Sequence, residues 1–140
     1  MRAVDILLVE DNPGDVRLLR EVFGTCATTN HLVVARDGVE AMELIRQGLR
    51  QNWRPDLILL DLNLPRKDGR EVLLELKEDP ELRKIPVVVL SSSRAERDIS
   101  QSYELHASCH IVKPFDLSSF VRVVRSIEQF WLSTAALPGA

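Results

Sequence analysis

Five short apolar runs, almost unbroken by polar residues, constrain this chain more than any other feature. They are Ile6-Leu7-Leu8-Val9, Leu32-Val33-Val34-Ala35, Leu57-Ile58-Leu59-Leu60, Val87-Val88-Val89-Leu90 and His110-Ile111-Val112. Runs of three or four residues rich in Val, Ile and Leu are too short for helices and read as strands. Because they do not alternate apolar with polar, both faces of each strand are expected to be covered, as in a parallel sheet flanked by helices. The runs recur roughly every 25 residues, enough for one strand, one helix and two loops.

The segments between the runs carry helical signals. Asn12-Pro13-Gly14-Asp15 reads as a helix start, with Asn12 as the cap, Pro13 at the first position and Asp15 in the first turn. Val16, Leu19 and Phe23 then repeat at helical spacing. Asp37-Gly38 is a turn, followed by a stripe of Met42, Ile45 and Leu49. Gly69 opens a third segment with Val72, Leu73 and Leu76 on one face. A fourth helix, around residues 96–105, is weakly marked, because only Ile99 and Leu105 give it periodicity. The fifth is strong: Leu117, Phe120, Val121, Val124, Ile127 and Trp131. The alternation predicts a single (βα)5 unit, an α/β fold with right-handed crossovers.

Composition narrows the function. The 140 residues are 45% hydrophobic and 28% charged, with 18 Lys+Arg against 21 Asp+Glu and a formal charge of −3. That is a globular composition, and its mild acidity argues against nucleic acid as a partner. No apolar run approaches the ~20 residues of a membrane span, and the start, Met1-Arg2-Ala3-Val4-Asp5, lacks a signal peptide's apolar stretch. Cys26 and Cys109 lie far apart in no metal or redox spacing. A cytoplasmic protein free of membrane and nucleic acid is expected.

In open α/β sheets, function gathers at the carboxyl ends of the strands. Here the first strand ends in Glu10-Asp11, the third in Asp61, the fourth in Ser91 and the fifth in Lys113-Pro114, while the second ends in the ordinary turn Arg36-Asp37-Gly38. An acid pair, a further Asp, a hydroxyl and a Lys converge if those four strands are neighbours. Three carboxylates in one pocket repel one another unless a hard cation holds them, and Mg²⁺ suits a site with few carboxylates and several waters. An Asp between such a cation and a Lys is a nucleophile suited to phosphoryl transfer, with Ser91 placed to donate a hydrogen bond to the transferred oxygens. The chemistry expected is acceptance of a phosphoryl group on Asp61. Singly, each of these residues is an ordinary turn, cap or loop residue; their coincidence at four strand ends carries the reading.

Other constellations are weaker. His106-Ala107-Ser108-Cys109-His110 invites a zinc site, but neighbouring strand residues Cys109 and His110 point to opposite faces. Neither a Walker A loop nor a G-x-G-x-x-G turn occurs, and Ser91, His110 and Asp61 lack the G-x-S-x-G elbow of a hydrolase triad.

The pieces Ile6-Leu7-Leu8-Val9-Glu10-Asp11-Asn12, residues 56–69 (DLILLDLNLPRKDG), residues 85–93 (IPVVVLSSS) and Val112-Lys113-Pro114-Phe115 together resemble the receiver domain of two-component response regulators. The resemblance spans about residues 4–132. It implies a flavodoxin-like receiver fold, a five-stranded parallel sheet in order 2-1-3-4-5 flanked by five helices, with residues 1–132 as receiver, 133–140 as a C-terminal tail and no output domain. By position, Asp61 is similar to the family's phosphoacceptor, Glu10 and Asp11 to its Mg²⁺-binding acid pair, and Asn63 to the residue whose backbone carbonyl also ligates the metal. Lys113 matches the Lys that pairs with acceptor and phosphoryl group, Ser91 the hydroxyl switch, and Pro114 a position where the family commonly has a cis bond. The family's switch aromatic, usually Tyr or Phe, is replaced by His110, which titrates near neutrality. Asn63 and Ser93 fall at positions that tune hydrolysis in the family.

A narrower resemblance joins residues 10–15 (EDNPGD), 34–41 (VARDGVEA) and 130–138 (FWLSTAALP) to stand-alone response regulators of bacterial phytochromes. It implies a phytochrome-type sensor histidine kinase as phosphodonor and a homodimer formed through helix four, strand five and helix five. Val123 and Phe130 lie off the core stripe of the fifth helix and are expected on that dimer face. Competing classes are separable. An aspartyl-phosphate phosphatase of the haloacid dehalogenase kind carries Asp-x-Asp, whereas Asp61 is followed by Leu62-Asn63. An FMN binder wants a Ser/Thr-rich loop where Glu10-Asp11 stand. A phosphate-independent adaptor has no need of the full acid and Lys set. The expectation is therefore a phosphoacceptor supporting only its own phosphorylation and dephosphorylation, not an enzyme acting on other substrates.

Overall fold

Each of the five apolar runs becomes a strand, and each strand is followed by a helix. In the computed structural model, which describes residues 3–138, the order is β1 (Val4–Val9), α1 (Pro13–Gly24), β2 (Asn30–Ala35), α2 (Gly38–Arg50), β3 (Leu57–Leu60), α3 (Gly69–Glu78), a 3₁₀ turn (Leu82–Lys84), β4 (Val87–Ser91), α4 (Glu96–Glu104), β5 (Cys109–Val112) and α5 (Leu117–Glu128). A π-helical turn, Gln129–Thr134, continues α5. Met1, Arg2 and the last two positions of the expected tail lie outside the described residues. All strand pairs are parallel and the order is β2-β1-β3-β4-β5, as expected.

Successive side chains of a strand face opposite sides, so one sheet serves two cores. Leu7, Val9, Ile58, Leu60, Val87 and Val89 meet Met42 and Ile45 of α2 and Val72, Leu73 and Leu76 of α3. Ile6, Leu8, Leu57, Leu59, Val88 and Leu90 meet Val16, Leu19 and Phe23 of α1 and Phe120, Val124 and Ile127 of α5. The three central strands are thereby almost wholly buried, which accounts for their unbroken apolar runs, while edge strands β2 and β5 are mostly half-buried.

Four helices begin on a side-chain cap. Asn12 accepts from the Asp15 N–H, Asp37 from Glu40, Asp68 from Arg70 and Asp116 from Ser119, at 2.8 to 3.1 Å. Helix α4 follows Ala95, which offers no side-chain cap, and its buried residue is Ser102. Its weak sequence signal thus reflects a helix that commits little apolar surface.

Two details depart from the sequence reading. Leu117, expected in the stripe of the fifth helix, is 69% exposed; it sits at the first position after the Asp116 cap, ahead of the turn that reaches the sheet. At the far end the chain widens into a π turn, closed by the Ala135 N–H donating to the Phe130 carbonyl at 2.7 Å. The stripe slips there, so Leu132 is buried while Trp131 is half-buried. No cis peptide bond occurs among the described residues, so the bond before Pro114 is trans. None of their helices is long and apolar enough to cross a membrane.

Candidate functional site

The strand order makes neighbours of the four strands whose ends carry polar residues. Val9 lies level with Leu60, and Leu60 with Val89, so the residues that follow emerge side by side. Backbone hydrogen bonds extend this register one step past the strands. The Asp61 N–H donates to Val9 O at 3.0 Å, and the Lys113 N–H to Ser91 O at 2.8 Å. Gly69 closes the site from below. A Cβ there would lie 2.2 Å from the Asp61 carbonyl oxygen and 2.7 Å from Leu62 Cα, and the Gly69 N–H donates to Leu62 O at 2.9 Å. Only a residue without a side chain lets α3 start this close to Asp61.

The charged groups at these ends are buried together. Glu10 is 1% exposed, Asp61 and Lys113 8% each. Lys113 Nζ lies 2.6 Å from Glu10 Oε2, 2.9 Å from Asp15 Oδ2 and 3.3 Å from Asp61 Oδ2. One ammonium thus spends its three N–H donors on three carboxylates. Those carboxylates hold the Lys113 pKa above its ordinary value despite burial. The Glu10 carboxyl is pushed up to about 7, first by burial and then by the charge of Asp61, against the pull of Lys113. Asn12 N–H donates to Glu10 Oε1 at 3.1 Å, and Asn63 N–H to Asp61 Oδ1 at 3.2 Å.

Glu10, Asp11 and Asp61 each bring one carboxylate oxygen within 4.8 Å of the others. Two of the three are buried, so their mutual repulsion is poorly screened, and a divalent cation with a preference for oxygen is what such a set accommodates. The donors fit a divalent-cation site.

The hydroxyl of Ser91 is fully buried and accepts the Ser93 N–H at 3.2 Å. Ser93 in turn donates to Asp98 at 2.5 Å, and Arg70 binds Asp98 at 2.8 Å and Gln101 at 2.9 Å. The loop after β4 is thereby tied to both α3 and α4. His110 turns toward α4, with Nδ1 2.9 Å from Ser102 Oγ. Since that hydroxyl donates to the Asp98 carbonyl at 2.9 Å, it accepts from His110 Nδ1–H. Nε2 is then left buried without a partner among the described residues, and burial holds the His110 pKa down. Cys109 faces the opposite core, so the residues of the zinc alternative do not converge.

Asp15 is the residue that sequence reasoning left out of the site. Its place in the first turn of α1 was legible, but its reach to Lys113, 98 positions away, was not. Val123 and Phe130 belong to a different region. With Cys109, Ile111, Ile127 and Trp131 they line an apolar groove of about 590 Å³ at the β5 edge, where Phe130 is 52% exposed.

Comparison with known proteins places this geometry. The response regulator receiver domain family matches residues 6–125. Response regulator Rcp1 of Synechocystis sp. is 51% identical over 137 residues, covering 96% of this chain and 93% of that protein. The crystal structure of the phosphorylated cyanobacterial phytochrome response regulator RcpA superposes with a TM-score of 0.94 at 53% identity, over 99% of this chain and 100% of that one. The Mn²⁺-bound form of Rcp1 gives 0.92 at 50% identity, over 97% and 99%.

Proposed function

Since the chain belongs to the response regulator receiver domain family, we propose that it accepts a phosphoryl group on Asp61 from a sensor histidine kinase of the phytochrome type. One observation carries this reading: a buried Asp61 lies within reach of Glu10 and Asp11 on one side and of the Lys113 ammonium on the other. The phytochrome link is supported by RcpA and by two bacteriophytochrome response regulators that are 41% and 35% identical to this chain.

In the proposed step, an oxygen of Asp61 forms a bond to phosphorus while the donor's P–N bond (phosphohistidine) or P–O bond (acetyl phosphate) breaks. The donor leaves with the electron pair. Glu10, Asp11, Asp61 and the Asn63 carbonyl would hold Mg²⁺, whose charge offsets the transferring oxygens; the Mn²⁺ in crystalline Rcp1 is an ion of the same oxygen-seeking kind. Lys113 supplies a second positive group, and the Ser91 hydroxyl donates to a phosphoryl oxygen. The added charge of about −2 draws Ser91 and Lys113 inward. Ser91 is joined through Ser93 and Asp98 to α4, where Ser102 holds His110, so the surface of α4, β5 and α5 is the output. We read that surface, with Val123 and Phe130, as a homodimer face. Residues 1–132 form the receiver and 133–140 its tail, and free Cys26 and Cys109 suit a cytoplasmic setting.

The test is intact mass after incubation with Mg²⁺ and acetyl phosphate. One phosphoryl group per chain is expected, lost in Asp61→Asn and lost on chelation. A gain that survives Asp61→Asn would move the acceptor elsewhere, and multiple turnover of a phosphomonoester would make the chain a phosphatase instead.

A further inference from the structure

The three contacts of Lys113 are unequal: its shortest are to Glu10 and Asp15, at 2.6 and 2.9 Å, and the longest is to Asp61, at 3.3 Å. Taking Asp61 as acceptor, as proposed above, we propose that Asp15 is a positioning residue that holds the Lys113 ammonium back from Asp61 and so restrains phosphoryl acceptance. The Lys113–Asp15 contact gives way as the phosphoryl oxygens arrive.

Several observations converge on Asp15. It is no member of the carboxylate triad of Glu10, Asp11 and Asp61, so its charge acts on Lys113. Its position is set locally: Pro13 starts the helix, and the Asn12 side chain accepts the Asp15 N–H at 3.1 Å. The carboxylate is therefore delivered to the site by the helix start, not by the sheet. Asp15 and Lys113 also share the wall of an open cavity of about 320 Å³, together with Ser92, Pro114 and Phe115. Asp15 is the most exposed of the three carboxylates on Lys113, with 22% of its side chain accessible against 2% for Glu10 and 9% for Asp61. It is the partner most readily given up to water.

Charge supplies the direction. Before transfer, one ammonium is shared among three carboxylates. After transfer, Asp61 bears a group of about −2, whose oxygens compete for the same ammonium. An Asp15 carboxylate still holding Lys113 withdraws a donor from those oxygens, and its own charge repels them. Removing that charge favours acceptance, while a merely anchoring role predicts the opposite.

The experiment compares wild type, Asp15→Asn and Asp15→Glu as full chains, with limiting acetyl phosphate and Mg²⁺ at a concentration that calorimetry shows to saturate each. Asp15→Asn should be phosphorylated three- to tenfold faster, and Asp15→Glu should return to within twofold of wild type. In parallel, acetylation of Lys113 by acetic anhydride, read by peptide mass in metal-free protein, should rise at least threefold in Asp15→Asn alone. Equal or slower phosphorylation of Asp15→Asn overturns the proposal, as does equal acceleration by Asp15→Glu or unchanged acetylation of Lys113. If wild type takes up no phosphoryl group, the proposed function falls by itself; raised Lys113 acetylation in Asp15→Asn then still supports the hold, and unchanged acetylation ends it.

Discussion

The carboxyl end of the sheet and the groove at the β5 edge are built on opposite terms. At the first, charged groups are buried: Glu10, Asp61 and Lys113 are nearly inaccessible and depend on one another for compensation. At the second, apolar groups are left out: Phe130 is half-exposed beside Trp131, and Ile111 and Val123 line an open cavity. A folded chain avoids both situations unless something arrives to relieve them. On the function proposed above, a cation and then a phosphoryl group would relieve the pocket, and the apolar surface of a second copy would relieve the groove. The two regions meet at β5: Lys113 follows its carboxyl end, and Cys109, its first residue, lines the groove.

The contrast can be strained most at Glu10. Without a metal, burial and the neighbouring charge of Asp61 push its carboxyl up to about 7 from the ordinary 4.5. Between those values the folded state keeps a proton that the unfolded state has lost, so stability falls as pH rises. A shift of that size corresponds to about 3 kcal/mol lost between pH 4.5 and above 7. Urea midpoints across that range should fall in wild type and stay flatter in Glu10→Gln; parallel curves would mean that the pocket bears no such penalty. Magnesium, by compensating Glu10, should restore stability at high pH.

Gly69→Ala tests the same pocket through shape. With backbone atoms at 2.2 and 2.7 Å from the new methyl group, α3 must move away from Asp61, at a cost of about 2 kcal/mol. The urea midpoint should drop, and phosphoryl uptake should drop with it. Loss of stability with full uptake would show that the start of α3 does not position Asp61.

The groove should answer differently. Phe130→Ser removes an exposed ring, so chain stability should change by about 0.5 kcal/mol or less, while the proposed dimer should dissociate in sedimentation experiments. A dimer that survives this change would place the interface elsewhere. A large loss of stability would make Phe130 part of its own domain's core.

Much of this was legible before folding was considered. The unbroken runs at β1, β3 and β4 announce strands covered on both faces, and Asn12 marks a helix start by a mechanism that acts within four residues; the caps at Asp37, Asp68 and Asp116 emerged only in the structure. Glu10, Asp61, Ser91 and Lys113 were legible as strand-end residues because a strand ends where its apolar run ends. Other features depend on register or distance. Leu117 fits the helical stripe yet lies outside the core, and the π turn that exchanges Trp131 for Leu132 has no marker in an apolar pattern. His110 was legible as an unusual residue, but its hydrogen bond to Ser102 comes from the packing of α4 on β5.

The sequence by itself determined the strands, the helix starts and the kind of chemistry, because propensity, capping and burial pattern act over a few neighbouring residues. Tertiary structure alone decided which carboxylates share Lys113. Strand order sets Glu10 beside Asp61, and the packing of the fold brings Asp15, in the first turn of α1, to an ammonium that follows β5. Electrostatic coupling depends on distance in space and on the exclusion of water, and neither is written in the spacing along a chain.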